Sequence, residues 1–265
     1  MTEFVPADHT GLWRREVITA PGYRDETTRV LWLQTRSWYA DLRVPADRPP
    51  PRGEGFAAYG DAELIALAKI QGFAGQLTAK DGICFWRRDL DFQPAGRLPD
   101  EARCAVDGEV MIEDGLHADY QEIWRREPSS QTPLAAYRLE GADRDGLLVI
   151  GGQHLIEFVG RPGAAPVGDS LAALVEAELA AGQRAGAEAL LDTRIRYAVW
   201  DGDGAWVTRL SSQPWREGRR FSARLDKRTG QLETDAGLWR PLDATEPTQT
   251  LGQPVDGMAK AEGSA

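Results

Sequence analysis

Over long stretches the chain alternates apolar and polar side chains with a period of two, the spacing at which successive residues of a strand face opposite sides of a sheet. Trp38, Ala40, Leu42 and Val44 alternate with Tyr39, Asp41 and Arg43, which predicts a strand with one face in a core and the other in water. Residues 28–34 are rich in β-branched and aromatic side chains and predict another strand. Pro45 stops pairing, and the Pro- and Gly-rich residues 49–55 read as a loop. A short helix follows. Asp61 is placed to cap its first turn, Glu63 suits the positive end of its dipole, Leu64, Leu67 and Ala68 form an apolar stripe, and Gly72 ends it. Further strands are predicted over residues 75–80, 83–92, 102–112 and 117–126, with Asp-Gly hairpin turns at Lys80-Asp81-Gly82 and Glu113-Asp114-Gly115.

The same order then recurs. Strands are predicted over residues 137–139, 147–150 and 154–159, ending at Gly160-Arg161-Pro162. Asp169 is placed to cap a second helix, whose stripe includes Leu171, Leu174, Val175 and Leu179. Strands over residues 193–200, 205–211, 219–226 and 231–239 follow, with turns at residues 201–204 and 227–230. Gly237-Leu238-Trp239-Arg240 echoes Gly11-Leu12-Trp13-Arg14. The expectation is an all-β protein with one short helix per half, built as two pseudo-repeated antiparallel barrels or half-barrels. They span residues 1–128 and 129–243, and residues 244–265, poor in groups to bury, form a flexible tail. Two sandwich-like sheets packed face to face are the alternative.

Composition narrows the class. The 265 residues are 42% hydrophobic and 27% charged, as in ordinary globular proteins, and no apolar run approaches the ~20 residues that span a bilayer. The N-terminus lacks a basic region followed by an apolar run, so no secretory leader is expected, and the cytoplasm is the expected location. A formal charge of −10 argues against nucleic acid as a partner, while leaving room for a local basic pocket. Cys84 and Cys104 fit a reducing compartment and read as buried thiols on strands.

The most unusual local feature is Trp-Arg-Arg, which occurs at residues 13–15, 86–88 and 124–126. In a strand the tryptophan and the second arginine share a face. In the strand over residues 83–92 that face also carries Cys84, Leu90 and Phe92, with Arg87, Asp89 and Asp91 opposite. If the triplets line one cavity, Trp13, Trp86 and Trp124 would wall it, and Arg15, Arg88 and Arg126 would offer forked donors to a carboxylate or phosphate. The alternative is that these arginines pair with carboxylates such as Glu16, Glu122 or Glu109. His9, His117 and His154 share no metal-ligand spacing, although haem ligation would need only one of the latter two. Asp201-Gly202-Asp203-Gly204 begins like a calcium loop but has Ser212 where a bidentate Glu is needed. No Ser/His/Asp or Cys/His grouping emerges from spacing, and no cofactor is called for.

Gly11-Leu12-Trp13-Arg14-Arg15, residues 27–35, residues 39–45 and Asp91-Phe92-Gln93-Pro94 resemble an uncharacterised bacterial family associated with the lipocalin-like (calycin) β-barrel and distantly similar to nitrobindin. The resemblance covers residues 11–127 and reaches the second half only by pattern. It implies a lipocalin-like barrel and, by analogy, ligand binding; it implies no activity. The leading functional expectation is a non-enzymatic binding protein for a small amphipathic anion. The alternatives are an enzyme (cyclase, isomerase or hydrolase) using the same cavity, and an interaction module with filled barrels. Oligomeric state is not legible.

Overall fold

The computed structural model describes residues 5–96, 98–140 and 143–244. The first nine strands are β1 (Gly11–Ala20), β2 (Tyr23–Asp25), β3 (Arg29–Gln34), β4 (Trp38–Val44), β5 (Phe73–Lys80), β6 (Ile83–Asp91), β7 (Glu101–Asp107), β8 (Val110–Gly115) and β9 (Gln121–Glu127). Consecutive neighbours pair antiparallel from β3 onward, and β1 pairs with both β3 and β9. Eight strands thus close into a barrel, which removes every exposed edge, and β2 hooks onto the end of β1.

Both faces of β3 and β4 are buried. Val30, Trp32 and Tyr39 point into the barrel, while Leu31, Leu33, Ala40, Leu42 and Val44 point outward into a core shared with the second half. The expectation that Asp41 and Arg43 face water is therefore corrected: they line the barrel interior. The outer face of β4 was free to be apolar because another layer covers it, which left the polar face to the inside.

Two local details set the interior. Asp81 (φ 53°) and Gly82 (φ 76°) make the predicted tight turn between β5 and β6, both in the left-handed region that such a turn requires. The second predicted turn is displaced. Residues 102–112 are two strands joined at Gly108 (φ 58°), and Glu113 and Asp114 are paired strand residues. Of two Asp-Gly pairs, the chain turns at Asp107-Gly108, which brings Met111 and Cys104 into the barrel core beside Trp124.

A bulge in β6 is the other detail. Ala74 pairs with Leu90 and Gly75 with Arg88, so Asp89 is left unpaired and the facing of the strand reverses beyond it. A Cβ on Gly75 would lie 1.9 Å from the Arg87 carbonyl oxygen, so the bulge needs glycine opposite it. Leu90 and Phe92, expected beside Arg88, instead join the core between the halves, and Asp91 comes to Arg88 at 3.1 Å.

The second half repeats this plan with β10 (Leu134–Glu140), β11 (Gly146–Gly151), β12 (His154–Val159), β13 (Arg194–Trp200), β14 (Trp206–Ser211), β15 (Arg220–Phe221), β16 (Arg224–Leu225), β17 (Leu232–Thr234) and β18 (Gly237–Ala244). The sheet runs from β15 through β14, β13, β12, β11, β10, β18 and β17 to β16. Its two edges, β15 and β16, lie two residues apart in the chain, so the sheet curls back on itself and is interrupted within a single stretch of backbone. Residues 219–226, expected as one strand, are this interrupted stretch. Ala244 closes β18; the rest of the expected flexible tail lies outside the described residues.

The helices fall at equivalent places, after β4 and after β12. Helix α1 (Asp61–Leu67) starts at Gly60, whose N–H donates to the Glu63 carboxylate at 2.9 Å, so Glu63 rather than Asp61 caps it. Where one helix was expected in the second half there are two, α2 (Leu171–Ala180) and α3 (Arg184–Leu191). Ser170, not Asp169, caps α2, its hydroxyl accepting from the Ala173 N–H at 3.2 Å. Gly182 (φ 71°) lets the chain turn between them. Leu64, Leu67, Leu171, Val175 and Leu191 join the apolar outer faces of β3, β4, β11, β12 and β13 in one continuous core. The half-buried Arg48–Glu217 ion pair (2.9 Å), the Arg161–Phe92 carbonyl bond (2.5 Å) and the Ser130–Leu12 bond (2.7 Å) tie the halves further.

Candidate functional site

The barrel of the first half is sealed at one end and open at the other. Val5 enters the barrel core, the His9 carbonyl accepts from Trp13 Nε1 at 2.8 Å, and residues 5–10 thus cover the sealed end. Cys84 and Cys104 are buried near this end, in the neighbourhood of His9. At the other end lies a cavity of about 220 Å³. Trp32, Phe73, Trp86 and Trp124 supply its aromatic walls. Asp41, Asp100, Glu113 and Glu122 face it, with Arg43, Arg88 and Tyr120. Trp86, Arg88, Asp100 and Tyr120 also wall an outer cleft of about 730 Å³, reached past Leu98, Pro99 and His117. The inner chamber alone is below the ~300 Å³ typical of ligand pockets, and the two together are well above it.

Each Trp-Arg-Arg triplet sends its tryptophan and second arginine into the barrel, but the six residues do not converge. Trp86, Arg88 and Trp124 line the cavity. Arg15 lies beside it, bonded to Glu122 (2.6 Å) and Asp25 (3.2 Å). Trp13 and Arg126 belong to the sealed end. There the guanidinium lies 5.0 Å from the Trp13 ring centroid and donates to Glu109 (3.0 Å) and to the carbonyls of Asp8 (2.6 Å) and Gly108 (2.7 Å). Arg88 stacks 3.6 Å from the Phe73 ring centroid and pairs with Asp91 and, at 2.7 Å, with Asp100. All three second arginines are therefore held by carboxylates, and none offers a free fork to an anion.

The cavity carries more acid than base. Four carboxylates line it against two guanidiniums. Glu113 and Glu122 sit directly opposite each other on β8 and β9, 6% and 2% exposed. Burial and then the Glu122 charge push the Glu113 carboxyl well above the ordinary carboxylate range, and it accepts from the Tyr120 hydroxyl at 3.0 Å. Burial pushes Asp41 up to about 6, against the pull of Arg43, whose Nε donates to it at 3.0 Å. Burial works against the Arg43 charge too, and Asp41 with Glu122 more than offsets it. Among the residues lining the cavity, two polar atoms are buried without a hydrogen bond: Glu122 Oε2, an acceptor, and Trp124 Nε1, a donor.

Sequence reasoning missed Asp41, Arg43, Asp100, Glu113 and Tyr120. Asp41 and Arg43 carried a signal, since they share a face with Tyr39 on a strand whose other face is also apolar enough to be buried. Glu113 was hidden by the competing Asp-Gly pair. The structure also assembles a grouping that spacing could not show: Ser129 Oγ lies 3.4 Å from His154 Nε2, and His154 Nδ1 lies 2.8 Å from the Tyr197 hydroxyl. Arg14 donates to that hydroxyl at 3.1 Å. The grouping fastens β1 to β12 and β13.

Among the described residues no group of three or more His, Cys, Asp or Glu side chains is arranged to hold a metal ion, and no helix is long and apolar enough to cross a membrane. No protein-family model matches the chain, and no curated protein does. In fold the chain is similar to the crystal structure of the uncharacterised protein YLR301w from Saccharomyces cerevisiae. The TM-score is 0.54 and the identity 14%, covering 89% of this chain and 99% of that one. The likeness extends over both halves and concerns the fold alone.

Proposed function

We propose that the first barrel is a binding site for a small amphipathic molecule that enters by the open end, and that the charged end of this molecule is a cation. Sequence alone suggested an anion held by arginine. What supports the opposite sign is the cross-strand pair Glu113–Glu122 inside a cavity where carboxylates outnumber guanidiniums four to two. An ammonium group would meet the unpartnered Glu122 Oε2 while lying against indole faces, which attract cations. Trp124 Nε1 calls for an acceptor on the same molecule, such as a hydroxyl or amide carbonyl. The rest of the ligand would occupy the outer cleft beside Leu98 and Pro99. The lipocalin-like comparison, including the distant one with nitrobindin, fits this picture of the barrel as a container and names no ligand.

Tryptophan fluorescence tests the sign directly, because Trp32, Trp86 and Trp124 all face the cavity. Phenethylamine and phenylacetate share a ring and differ in charge. The amine should change the emission saturably and phenylacetate should not, and Glu122→Gln should weaken the amine about tenfold. Saturable binding of phenylacetate alone would reverse the assignment. Native mass spectrometry of the protein purified from its own host would then identify any retained molecule.

A further inference from the structure

The second half carries a charge cluster of opposite balance at the equivalent end, where its helices connect β12 to β13. Arg194 and Arg196 project inward from β13, and Glu157, fully buried on β12, contacts Nε of each at 3.0 Å and 2.7 Å. Arg216 reaches the same place from the turn after β14. The second carboxylate of the group is Asp235, on the two-residue turn between β17 and β18. Asp235 lies 2.5 Å from Arg196, 3.7 Å from Arg194 and 3.9 Å from Arg216, so one exposed side chain serves three guanidiniums. Three positive charges face two negative ones. The excess is felt: burial and then the nearby Arg194 charge depress Arg216 below its ordinary value. Arg194 Nη2 is buried without a hydrogen-bond acceptor.

Glu157 and Asp235 differ in how firmly they are held. Glu157 is completely buried, whereas the Asp235 side chain is 42% exposed and sits on a turn. Asp235 also lines a cleft of about 450 Å³, with Arg220, Phe221 and Arg224 on its other walls. Arg196 stacks on Phe221 at 3.5 Å, so the cleft and the buried cluster share a wall. We infer that the second half holds a site for a small oxyanion between Arg194, Arg196 and Arg216, and that the Asp235 carboxylate occupies it as a displaceable internal ligand. An incoming carboxylate or phosphate reproduces the forked contacts of Asp235 and adds the acceptor that Arg194 Nη2 lacks. Its remaining atoms lie in the cleft beside Phe221. The site is independent of the cavity in the first half.

The test uses the full chain and removes the internal ligand. Asp235→Ala leaves a carboxylate-sized gap among three guanidiniums, and added acetate or inorganic phosphate should bind there, read as a saturable heat by isothermal titration calorimetry. Comparing the two anions in the same titration shows which geometry the site prefers. The unaltered protein should respond about tenfold more weakly, because the anion must first displace Asp235. Arg216→Gln in the Asp235→Ala background should abolish the response while leaving the fold intact by circular dichroism, since Arg216 is partly exposed. Should Asp235→Ala fail to fold, Asp235→Asn takes its place. No saturable response to either anion, or an equal response with and without Arg216, would overturn the inference.

Discussion

Asp41→Asn offers a quantitative check on the buried charges of the first barrel. Asp41 is fully buried and its carboxyl rises from 3.8 to about 6. Its folded value lies above its unfolded one, so its contribution to stability is complete below the unfolded value and is lost as pH rises through the folded one. The difference is worth about 3 kcal/mol in all at ~1.4 kcal/mol per pH unit. About 2 kcal/mol of it falls between about pH 4.5 and about pH 7.5, where most folded proteins can be studied. Asparagine keeps the shape and an oxygen for Arg43 Nε but cannot titrate. Groups that do not interact with Asp41 titrate alike in both proteins and drop out of the difference between them. Urea unfolding of the two proteins across that range should therefore show the variant gaining about 2 kcal/mol on the parent as pH rises, on top of any constant loss from the weaker Arg43 contact. A parallel pair of stability curves would show that Asp41 is not held in a desolvated, acid-crowded interior, and the account of the cavity would fail with it.

Two further substitutions probe the architecture around the two sites. Gly75→Ala places a methyl 1.9 Å from the Arg87 carbonyl and should destabilise the protein by about 1–3 kcal/mol in urea unfolding. By flattening the bulge it should also turn Asp91 away from Arg88; a loss below about 0.5 kcal/mol would mean the bulge does not depend on glycine. Glu157→Leu leaves Arg194 and Arg196 buried without their shared carboxylate and should cost about 3–5 kcal/mol, whereas a loss under about 1 kcal/mol would show that water or Asp235 reaches them freely.

Much of this molecule could be read from the order of its residues. Period-two alternation located most strands, the Asp81-Gly82 turn followed from the need for left-handed backbone, and the recurrence of strands, proline-bearing loop, helix and strands announced two similar halves. The shared facing of Trp86 with Arg88 and of Trp124 with Arg126 follows from the pleat alone. These are local consequences of backbone geometry, and local sequence carries them. What the long-range fold decided is which of two polar or apolar faces is inside. Asp41 and Arg43 look like a solvated face until a second layer covers Ala40, Leu42 and Val44 from outside. Asp91 meets Arg88 at the outer cleft because one residue of β6 is bulged out against Gly75, and one extra residue reverses every side chain beyond it. Glu113 meets Glu122 because the chain turns at Asp107 and not seven residues later, a choice made by where Met111 and Cys104 can be buried. Burial of a polar face and the sign of a pocket are sums over neighbours brought from distant parts of the chain, and only the folded arrangement performs that sum.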